Sequence, residues 1–281
     1  MTDKKPLNPY QKRREKNLQA AASGAAPVKR LIRKASGEEE MWAPERIAKR
    51  LARAGLCSRR EAEAWIAAGR VKVDGKVITS PALNVTDANL IHVDGKPIAA
   101  KEATRLWLYH KPKGLVTTHK DPESRPTVFD ALPKEMGRVI SIGRLDLTSE
   151  GLLLLTNDGE LARHLELPST GWTRRYRVRV FGTPDAKSLE KLARGMTVEG
   201  ISYGSIEAKV EQGDKSNAWL AVSLQEGKNR EIRKVFEALG HKVSRLIRVA
   251  YGPFQLGKLP SGEVKEIVGS VLRSQLGNWK A

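Results

Sequence analysis

The sequence is poor in the residues that build disulfides, metal centres and membrane spans. It contains a single cysteine, Cys57, in 281 residues, so no disulfide can form within the chain, and this usage is typical of a reducing cytoplasm. Five scattered histidines show no metal-ligand spacing, and neither a Walker loop nor a Gly-x-Gly-x-x-Gly run is present. No apolar run approaches about 18 residues, and the N-terminus lacks a signal-peptide core. We therefore expect a cytoplasmic protein with no metal, no small-molecule cofactor and no membrane span.

Aromatic residues are also few, at 5%, whereas positive charge is abundant. Lysine and arginine total 50 against 32 acidic residues, which gives a formal charge of +18. This excess favours a polyanionic partner, most often nucleic acid, although a solvated basic surface would give the same composition. The length suggests two domains, or one domain and a small module, with a substantial core.

The stretch 143–151, which contains Asp146, organises the rest of the chain. Apolar residues at 139–142 predict a buried strand before it, and the run 152–155 predicts a second strand after it. A carboxylate at the end of a rigid strand can be fixed in place while the adjoining loop leaves it open to a ligand. Asp146 is therefore a catalytic candidate, although an aspartate that caps a turn would occupy the same position.

A strand and a helix supply further candidates. In the alternating segment 175–180, Tyr176 faces one side and three arginines face the other, as in any half-buried strand with a core tyrosine. Near residue 230, Arg230, Arg233 and Lys234 lie three and four residues apart in the first turn of a predicted helix. Cations there oppose the helix dipole, so this spacing favours a phosphate or carboxylate partner.

The N-terminal part divides into an arm and a module. Residues 1–43 are basic and of low complexity, so we expect a disordered arm that either binds phosphate or is an inert tail. Residues 44–103 predict a small module, in which Pro44 opens one helix and Ser58 caps another through a capping box with Glu61. Val-Asp-Gly-Lys occurs twice, at 73–76 and 93–96, and predicts two hairpin turns.

Several of these motifs resemble one family. Gly-Arg-Leu-Asp at 143–146, followed by Ser-Glu-Gly-Leu-Leu, resembles the active-site motif of bacterial ribosomal-RNA pseudouridine synthases of the RsuA/RluB type. Lys-Pro-Lys-Gly at 111–114 and Asn-Arg-Glu-Ile-Arg-Lys at 229–234 resemble other elements of that family. The run 50–63 is similar to the RNA-binding domain named after small-subunit ribosomal protein four, which precedes the catalytic domain in most members. The resemblance covers about residues 44–272.

The resemblance implies an α+β protein: a small N-terminal alpha-L RNA-binding domain at 44–103, a mixed, mainly antiparallel synthase domain at 104–272, and a short tail at 273–281. Asp146 would be the catalytic carboxylate, Tyr176 would pack against the target base, and Arg233 would pair with Asp146, with Arg230 as the second choice. The residues expected to contact RNA are Arg50, Arg53, Ser58, Arg59, Arg60, Lys72, Lys111, Arg144, Lys228, Asn229, Arg230 and Lys234.

The implied reaction is an isomerisation of uridine to pseudouridine, which needs no cofactor, by a monomer acting on ribosomal RNA or a ribosomal subunit precursor. Val-Arg-Val-Phe-Gly at 178–182 and Ser-Arg-Leu-Ile-Arg at 244–248 favour the RluB-like enzymes of large-subunit (23S) RNA. The alternatives are a small-subunit (16S) synthase, a non-catalytic ribosome-assembly factor and an RNA methyltransferase with the same N-terminal module. Intact Asp146, Tyr176 and Arg233 argue against the factor, and the lack of a Gly-rich cofactor loop argues against the methyltransferase.

Overall fold

The computed structural model describes residues 44–100 and 102–276, and the chain divides into two compact units between Glu102 and Ala103. The division lies one residue before the predicted boundary. The predicted basic arm at 1–43 lies outside the described residues. Within the described part, no helix is long and apolar enough to cross a membrane.

The N-terminal unit is built around two short helices, α1 (Ile47–Arg53) and α2 (Arg59–Ala67), which share a small apolar core. The capping box at the start of α2 is present, with the Ser58 amide donating to Glu61 Oε2 (2.6 Å) and the Glu61 amide donating to Ser58 Oγ (3.2 Å). We expected Pro44 to begin α1, but it does not. A two-residue strand, β1 (Glu45–Arg46), comes between them because it pairs with β4 (Asn84–Val85).

A four-stranded antiparallel sheet completes this unit in the order β3-β2-β5-β6. Its strands are β2 (Val71–Val73), β3 (Lys76–Val77), β5 (Ile91–Val93) and β6 (Lys96–Pro97). The two Val-Asp-Gly-Lys repeats form its hairpin turns, as predicted. Asp74 and Asp94 have φ of 49° and 50°, and the following glycines also have positive φ, which is the backbone that two-residue hairpins favour.

The larger unit is organised on one mixed sheet. Among the described residues, nine strands join it in the order β13-β14-β10-β15-β9-β7-β17, with β8 beside β9 and β16 beside β15, and every strand pairing is antiparallel except that of β9 with β15. The strands are β7 (Leu106–Lys111), β8 (Ile140–Ile142), β9 (Glu150–Thr156), β10 (Arg174–Phe181), β13 (Ile206–Gly213), β14 (Asn217–Leu224), β15 (Val243–Tyr251), β16 (Phe254–Gln255) and β17 (Val264–Glu266).

Four helices and a separate hairpin accompany this sheet in the described part of the unit. The helices are α3 (Gly159–Glu166), α4 (Ala186–Arg194), α5 (Glu231–Ala238) and α6 (Gly269–Leu276), and the hairpin pairs β11 (Met196–Val198) with β12 (Ile201–Tyr203). Short 3₁₀ turns occur at Phe129–Ala131, Lys134–Met136 and Pro168–Thr170. This arrangement agrees with the mixed, mainly antiparallel α+β fold predicted from the motifs.

The sheet has two unequally covered faces. The front face packs against α4 and α5 at one end and against the segment 115–145 at the other, and Tyr176 contacts both apolar clusters. On β9, Leu153 and Leu155 belong to the front, whereas Leu152 and Leu154 belong to the back, because successive side chains of a strand alternate. On the back face, α3 and α6 cover the half of the sheet that contains β7 and β9.

The C-terminal part departs from the expectation. The sequence pattern predicts that the segment 243–249 is the last strand, yet β16, β17 and α6 follow it. Leu272 and Leu276 of α6 are buried in the back core, so the predicted end of the domain at 272 falls inside a helix. Two leucines four residues apart lie on one helical face, and burying them offsets the entropy of ordering the segment.

Gly151 lets the parallel strands β9 and β15 approach each other at the end of the sheet beside the Asp146 loop. It pairs with Arg248 at a φ of 104°, and a Cβ there would lie 2.3 Å from the Arg248 carbonyl oxygen. Any larger residue would force the two backbones apart. The glycine in the predicted active-site motif therefore has a structural function.

Replacing Gly151 with alanine should lower the free energy of unfolding by at least about 2 kcal/mol, from combined backbone strain and overpacking. Gly262→Ala is the matched control, since Gly262 also has positive φ (86°) but no atom within 4 Å of the position that an added methyl group would take. Strain alone should cost the control about 1 kcal/mol. Urea titrations followed by circular dichroism compare the two, and equal losses would show that the close approach is unimportant.

Candidate active site

The loop that carries Asp146 is held in place by hydrogen bonds to its backbone carbonyls. Five consecutive carbonyl groups, from Leu145 to Ser149, each accept a hydrogen bond, and the donors come mainly from other segments. The pairs are Thr117 Oγ1 with Leu145 (2.9 Å), Lys111 Nζ with Asp146 (3.1 Å) and Ser149 (2.9 Å), the Gly114 amide with Leu147 (2.9 Å), and Arg233 Nη2 with Thr148 (3.2 Å). The loop geometry thus does not depend on the Asp146 side chain, which is one-third exposed.

Lys111, one of the residues predicted to contact RNA, is part of this support. Its side chain is fully buried, and Nζ donates to the carbonyls of Asp146, Ser149 and Pro112. Burial lowers its pKa to about 8, against the opposing effect of the Asp146 and Glu150 carboxylates. Lys111 therefore remains mostly protonated at neutral pH and holds a positive charge beneath the loop.

Tyr176 lies on the same face as the Asp146 loop. Tyr176 on β10 pairs with Arg248 on β15, and Arg248 pairs with Gly151 on β9. The three residues therefore form one cross-strand row. With strands about 4.8 Å apart, this row places Tyr176 within about 10 Å of the end of the loop. Tyr176 and Leu145, the neighbour of Asp146, pack in the same apolar cluster. The tyrosine is half-buried, so part of its ring stays available.

The arginine that forms an ion pair with Asp146 is Arg230, the second choice, and not Arg233. Arg230 Nη1 lies 3.8 Å from Asp146 Oδ2. The Arg233 guanidinium instead donates to the Thr148 carbonyl (3.2 Å) and the Val243 carbonyl (3.1 Å), which joins the loop to β15. Burial and the nearby charge of Arg230 lower the pKa of Arg233, against the opposing effect of the Asp146 carboxylate, which is close enough to act on both arginines. The spacing in the sequence treated both arginines as residues of one helix. In the structure Arg230 precedes the helix, so that spacing could not show which arginine reaches Asp146.

Arg230 is held in an unusual backbone conformation. It is the N-cap residue of α5, with φ 52° and ψ 27°, a left-handed geometry that costs a residue with a Cβ about 1–2 kcal/mol. An exposed ion pair contributes at most about 1 kcal/mol, so the pair with Asp146 does not by itself explain this geometry. Strain of this kind often accompanies functional sites.

Glu231 holds the strained turn from beneath. It is buried at the start of α5, and its Oε2 accepts from the Lys228 amide (3.0 Å), while Oε1 is buried with no hydrogen-bond partner. Burial raises the pKa of Glu231 to about 7; the Lys228 amide opposes this effect and the Glu226 carboxylate adds to it. Lys228 Nζ also binds Glu226 (2.8 Å) and the Ser202 carbonyl (2.7 Å).

The predicted RNA contacts in the larger unit have different surroundings. Arg144, Asn229 and Lys228 are exposed, although the Lys228 ammonium already has the contacts given above. Lys234 lies 3.5 Å from Glu199 of the β11–β12 turn. Arg144 and Asn229 are therefore better placed to reach a ligand than the two lysines, which would first have to leave a carboxylate.

The predicted contacts of the N-terminal unit also differ among themselves. Arg59, Arg60 and Lys72 are exposed and can reach a ligand. Arg50 is largely buried and forms ion pairs with Asp87 (2.6 Å) and Glu45 (3.6 Å), so it stabilises the unit. Two others are half-buried: Arg53 on α1 and Ser58, whose hydroxyl is used by the capping box.

The residues that support Asp146 give only weak signals in the sequence. Thr117 lies in a loop without periodicity, and Glu231 looks like one more surface acid in a charged run. Lys111 stands out only as part of a basic turn, although it ends an apolar strand and so is positioned for burial. Within the described residues, no group of three or more His, Cys, Asp or Glu side chains could hold a metal ion.

Comparisons with known proteins first define the class. Residues 105–238 match the family described as RNA pseudouridylate synthase, and residues 45–91 match the S4 domain. A crystal structure of a pseudouridylate synthase, 24% identical, covers 82% of this chain and 99% of its own, with a TM-score of 0.59, which supports the fold alone.

Relatives with closer sequences identify the family. An uncharacterised RNA pseudouridine synthase of Rickettsia felis is 52% identical over 81% of this chain and 99% of its own. The ribosomal large subunit pseudouridine synthase B of Salmonella typhi is 48% identical over 79% of each chain. The chain therefore belongs to the RNA pseudouridine synthases, as the motifs predicted, and it is an enzyme whose partner is RNA.

Glu231→Gln tests the buried carboxyl. Because the folded pKa, about 7, exceeds the ordinary 4.5, the unfolded chain loses this proton first, and the free energy of unfolding falls as pH rises between those values. Glutamine does not titrate, so the variant should lack this fall, which amounts to at most about 3 kcal/mol.

Urea titrations from pH 4 to 8 measure this effect, with Glu237→Gln, an exposed residue of the same helix, as the control. The control should follow the wild-type curve. If Glu231→Gln also follows it, Glu231 is already ionised in the folded protein.

Proposed function

We propose that this enzyme isomerises a specific uridine of large-subunit (23S) ribosomal RNA in the cytoplasm, with Asp146 as its catalytic carboxylate. The observation that carries the proposal is the Asp146 loop, whose backbone is fixed at five carbonyls while the carboxylate stays accessible beside Arg230. The name of the Salmonella typhi relative supports the choice of large-subunit RNA.

The carboxylate has two routes to the product. It attacks ribose C1′ while the C1′–N1 bond breaks and its electrons go to the uracil; C5 of the turned base then attacks C1′ and displaces Asp146. Alternatively, it removes the C2′ proton as the same bond breaks, which gives a glycal that later recovers a proton at C2′. In both routes the new C1′–C5 bond replaces the C1′–N1 bond, C5 finally loses its proton and N1 gains one, so atoms and electrons balance overall.

Both routes need an ionised Asp146 in a site closed by RNA. Arg230 supplies the opposite charge at 3.8 Å, and the buried Lys111 adds a second positive charge beneath the loop. A guanidinium that pairs with a carboxylate also orients it toward one face of the sugar. We assign Arg230 this function, and we assign Arg233 the bracing of the loop through the Thr148 carbonyl.

We assign to Tyr176 the stacking against the uracil base of the target uridine. A uridine must leave its stack to reach Asp146, at a cost of a few kcal/mol. Stacking on an aromatic ring returns about 1–3 kcal/mol, and Tyr176 is the half-buried aromatic residue of the row that reaches Gly151. Its position between two apolar clusters would hold the ring rigidly against the flipped base.

The decisive assay for the function uses RNA and no added cofactor. The enzyme is incubated with protein-free 23S RNA, with 16S RNA and with precursor particles, and pseudouridine is mapped in each. Modification of one uridine in 23S RNA or its precursor supports the proposal. Modification confined to 16S RNA would support the small-subunit alternative, and RNA binding without any modification would support the assembly-factor alternative.

Asp146→Asn should abolish isomerisation, by at least about 1,000-fold, while RNA affinity stays near that of the wild type. The amide keeps the shape of the carboxylate and loses its charge and nucleophilicity. Asp214→Asn, an exposed change in the β13–β14 turn, should leave the rate unaffected. Turnover by the Asp146→Asn variant, once mass spectrometry shows that it is free of deamidation, would contradict the assignment.

Lysine substitutions separate the two arginines. Arg230→Lys keeps the charge but loses the planar fork, so the single-turnover rate should fall more than about tenfold with little change in binding or thermal stability. Arg233→Lys cannot join both the Thr148 and Val243 carbonyls, so the melting temperature should fall as well as the rate. If Arg233→Lys lowers the rate without lowering the melting temperature, and Arg230→Lys lowers only affinity, then Arg233 is the partner of Asp146 in the RNA complex.

A further inference from the structure

The back of the sheet carries a set of cations that the Asp146 site does not use. On β10, three alternate arginines point away from the buried Val178 and Val180. Their neighbours in register on the same side are Arg245 on β15 and Lys209 on β13. We call these five residues the arginine face: Arg175, Arg177, Arg179, Lys209 and Arg245.

This half of the back face is open, unlike the rest of the sheet. The helices α3 and α6 cover β7 and β9, and the cluster that they form reaches Ile247 of β15. Ile247 stands opposite Arg177, so the cover ends where the arginine face begins. The front of the same strands is packed against α4 and α5.

The arrangement is unfavourable for the isolated protein. Arg179 lies directly opposite Arg245, and like charges in that position destabilise a strand pair. Glu211 and Glu150 offset part of the charge through ion pairs with Arg177 (2.9 Å) and Arg245 (2.7 Å). Across the described residues, neither Arg175 nor Arg179 has a carboxylate within ion-pair distance. Glu207 of β13 lies on the same side, in register with Arg175 through Ser223, so three acidic residues stand against the five cations. The face therefore keeps an excess of positive charge that a polyanion would neutralise.

The same face is also preorganised. The half-exposed Trp219 ring lies between two guanidinium groups, 4.9 Å from that of Arg177 and 5.9 Å from that of Arg245, and both arginines remain about half exposed. Arginines held in place by a ring and a carboxylate lose less entropy when they bind. Arg175 and Arg179 are about 13 Å apart along the strand, so the face can contact several phosphates of one backbone.

We propose that the arginine face binds the phosphate backbone of a second segment of the substrate RNA, remote from the segment that enters the Asp146 site. The sheet lies between the two surfaces, because Tyr176 and α5 are on its front. A duplex docked at Asp146 therefore does not reach the back face, whereas a large folded RNA can contact both. The proposal rests on the proposed function only in taking the modified RNA as the ligand.

The test uses Arg175→Gln combined with Arg179→Gln, the two arginines of this face that have no carboxylate within ion-pair distance in the described part of the chain. Binding of full-length 23S RNA is measured over a range of KCl, and it is compared with binding of the shortest fragment that the wild-type enzyme modifies. The slope of log affinity against log salt for the long RNA should be shallower by about 1.5, since each lost phosphate contact removes roughly 0.7–0.9. Binding and turnover of the fragment should not change.

The matched control is Lys258→Gln combined with Lys265→Gln, which removes the same charge from two exposed sites near the other end of the sheet. An unchanged slope for the arginine variant, an equal change in the control, or an equal loss on the short fragment would each overturn the proposal. The binding comparison is repeated with Asp146→Asn protein, so its result is independent of whether Asp146 is the catalytic group. Thermal melting verifies that all variants are folded.

Discussion

The structure of the synthase unit depends on the way five consecutive carbonyls of the Asp146 loop are satisfied. Backbone carbonyls are strong hydrogen-bond acceptors, and here the donors come from β7, from the segment after it and from α5. Three separate parts of the unit therefore meet beneath one residue. Their hydrogen bonds determine where Asp146 can be, and its carboxylate is left to interact with Arg230 and with a ligand.

The parallel contact between β9 and β15 connects this loop to the part of the sheet that carries Tyr176. Parallel neighbours are unusual in a sheet that is otherwise antiparallel in the described part, and this one is short, with Glu150 and Gly151 pairing with Ile247 and Arg248. Because Gly151 has no Cβ, the strands come close enough for Tyr176, Arg248 and Gly151 to form one row. The distance from Asp146 to Tyr176 is thus set by backbone spacing, which side-chain motion changes little.

The motifs predicted the fold because they record local constraints. The alternation at 175–180, the capping box at Ser58 and the Val-Asp-Gly-Lys turns are each decided within a few residues, and they are found as expected. Interaction partners that are distant in sequence could not be predicted from such local patterns. Arg230 and Arg233 have the same local pattern, and only the left-handed turn before α5 directs Arg230 toward Asp146.

Two buried charges near the Asp146 loop illustrate why this loop is costly to hold in place. Lys111 and Glu231 both lie in surroundings that disfavour their ionised forms, as the pKa values of about 8 and about 7 indicate. Apolar residues there would give a more stable core, but they could not donate to the carbonyls of Asp146 and Ser149 or accept from the Lys228 amide. The unit thus retains polar groups where they fix the two sides of one ion pair, Asp146 and Arg230. Stability lost at these two positions has to come from the apolar clusters on both faces of the sheet.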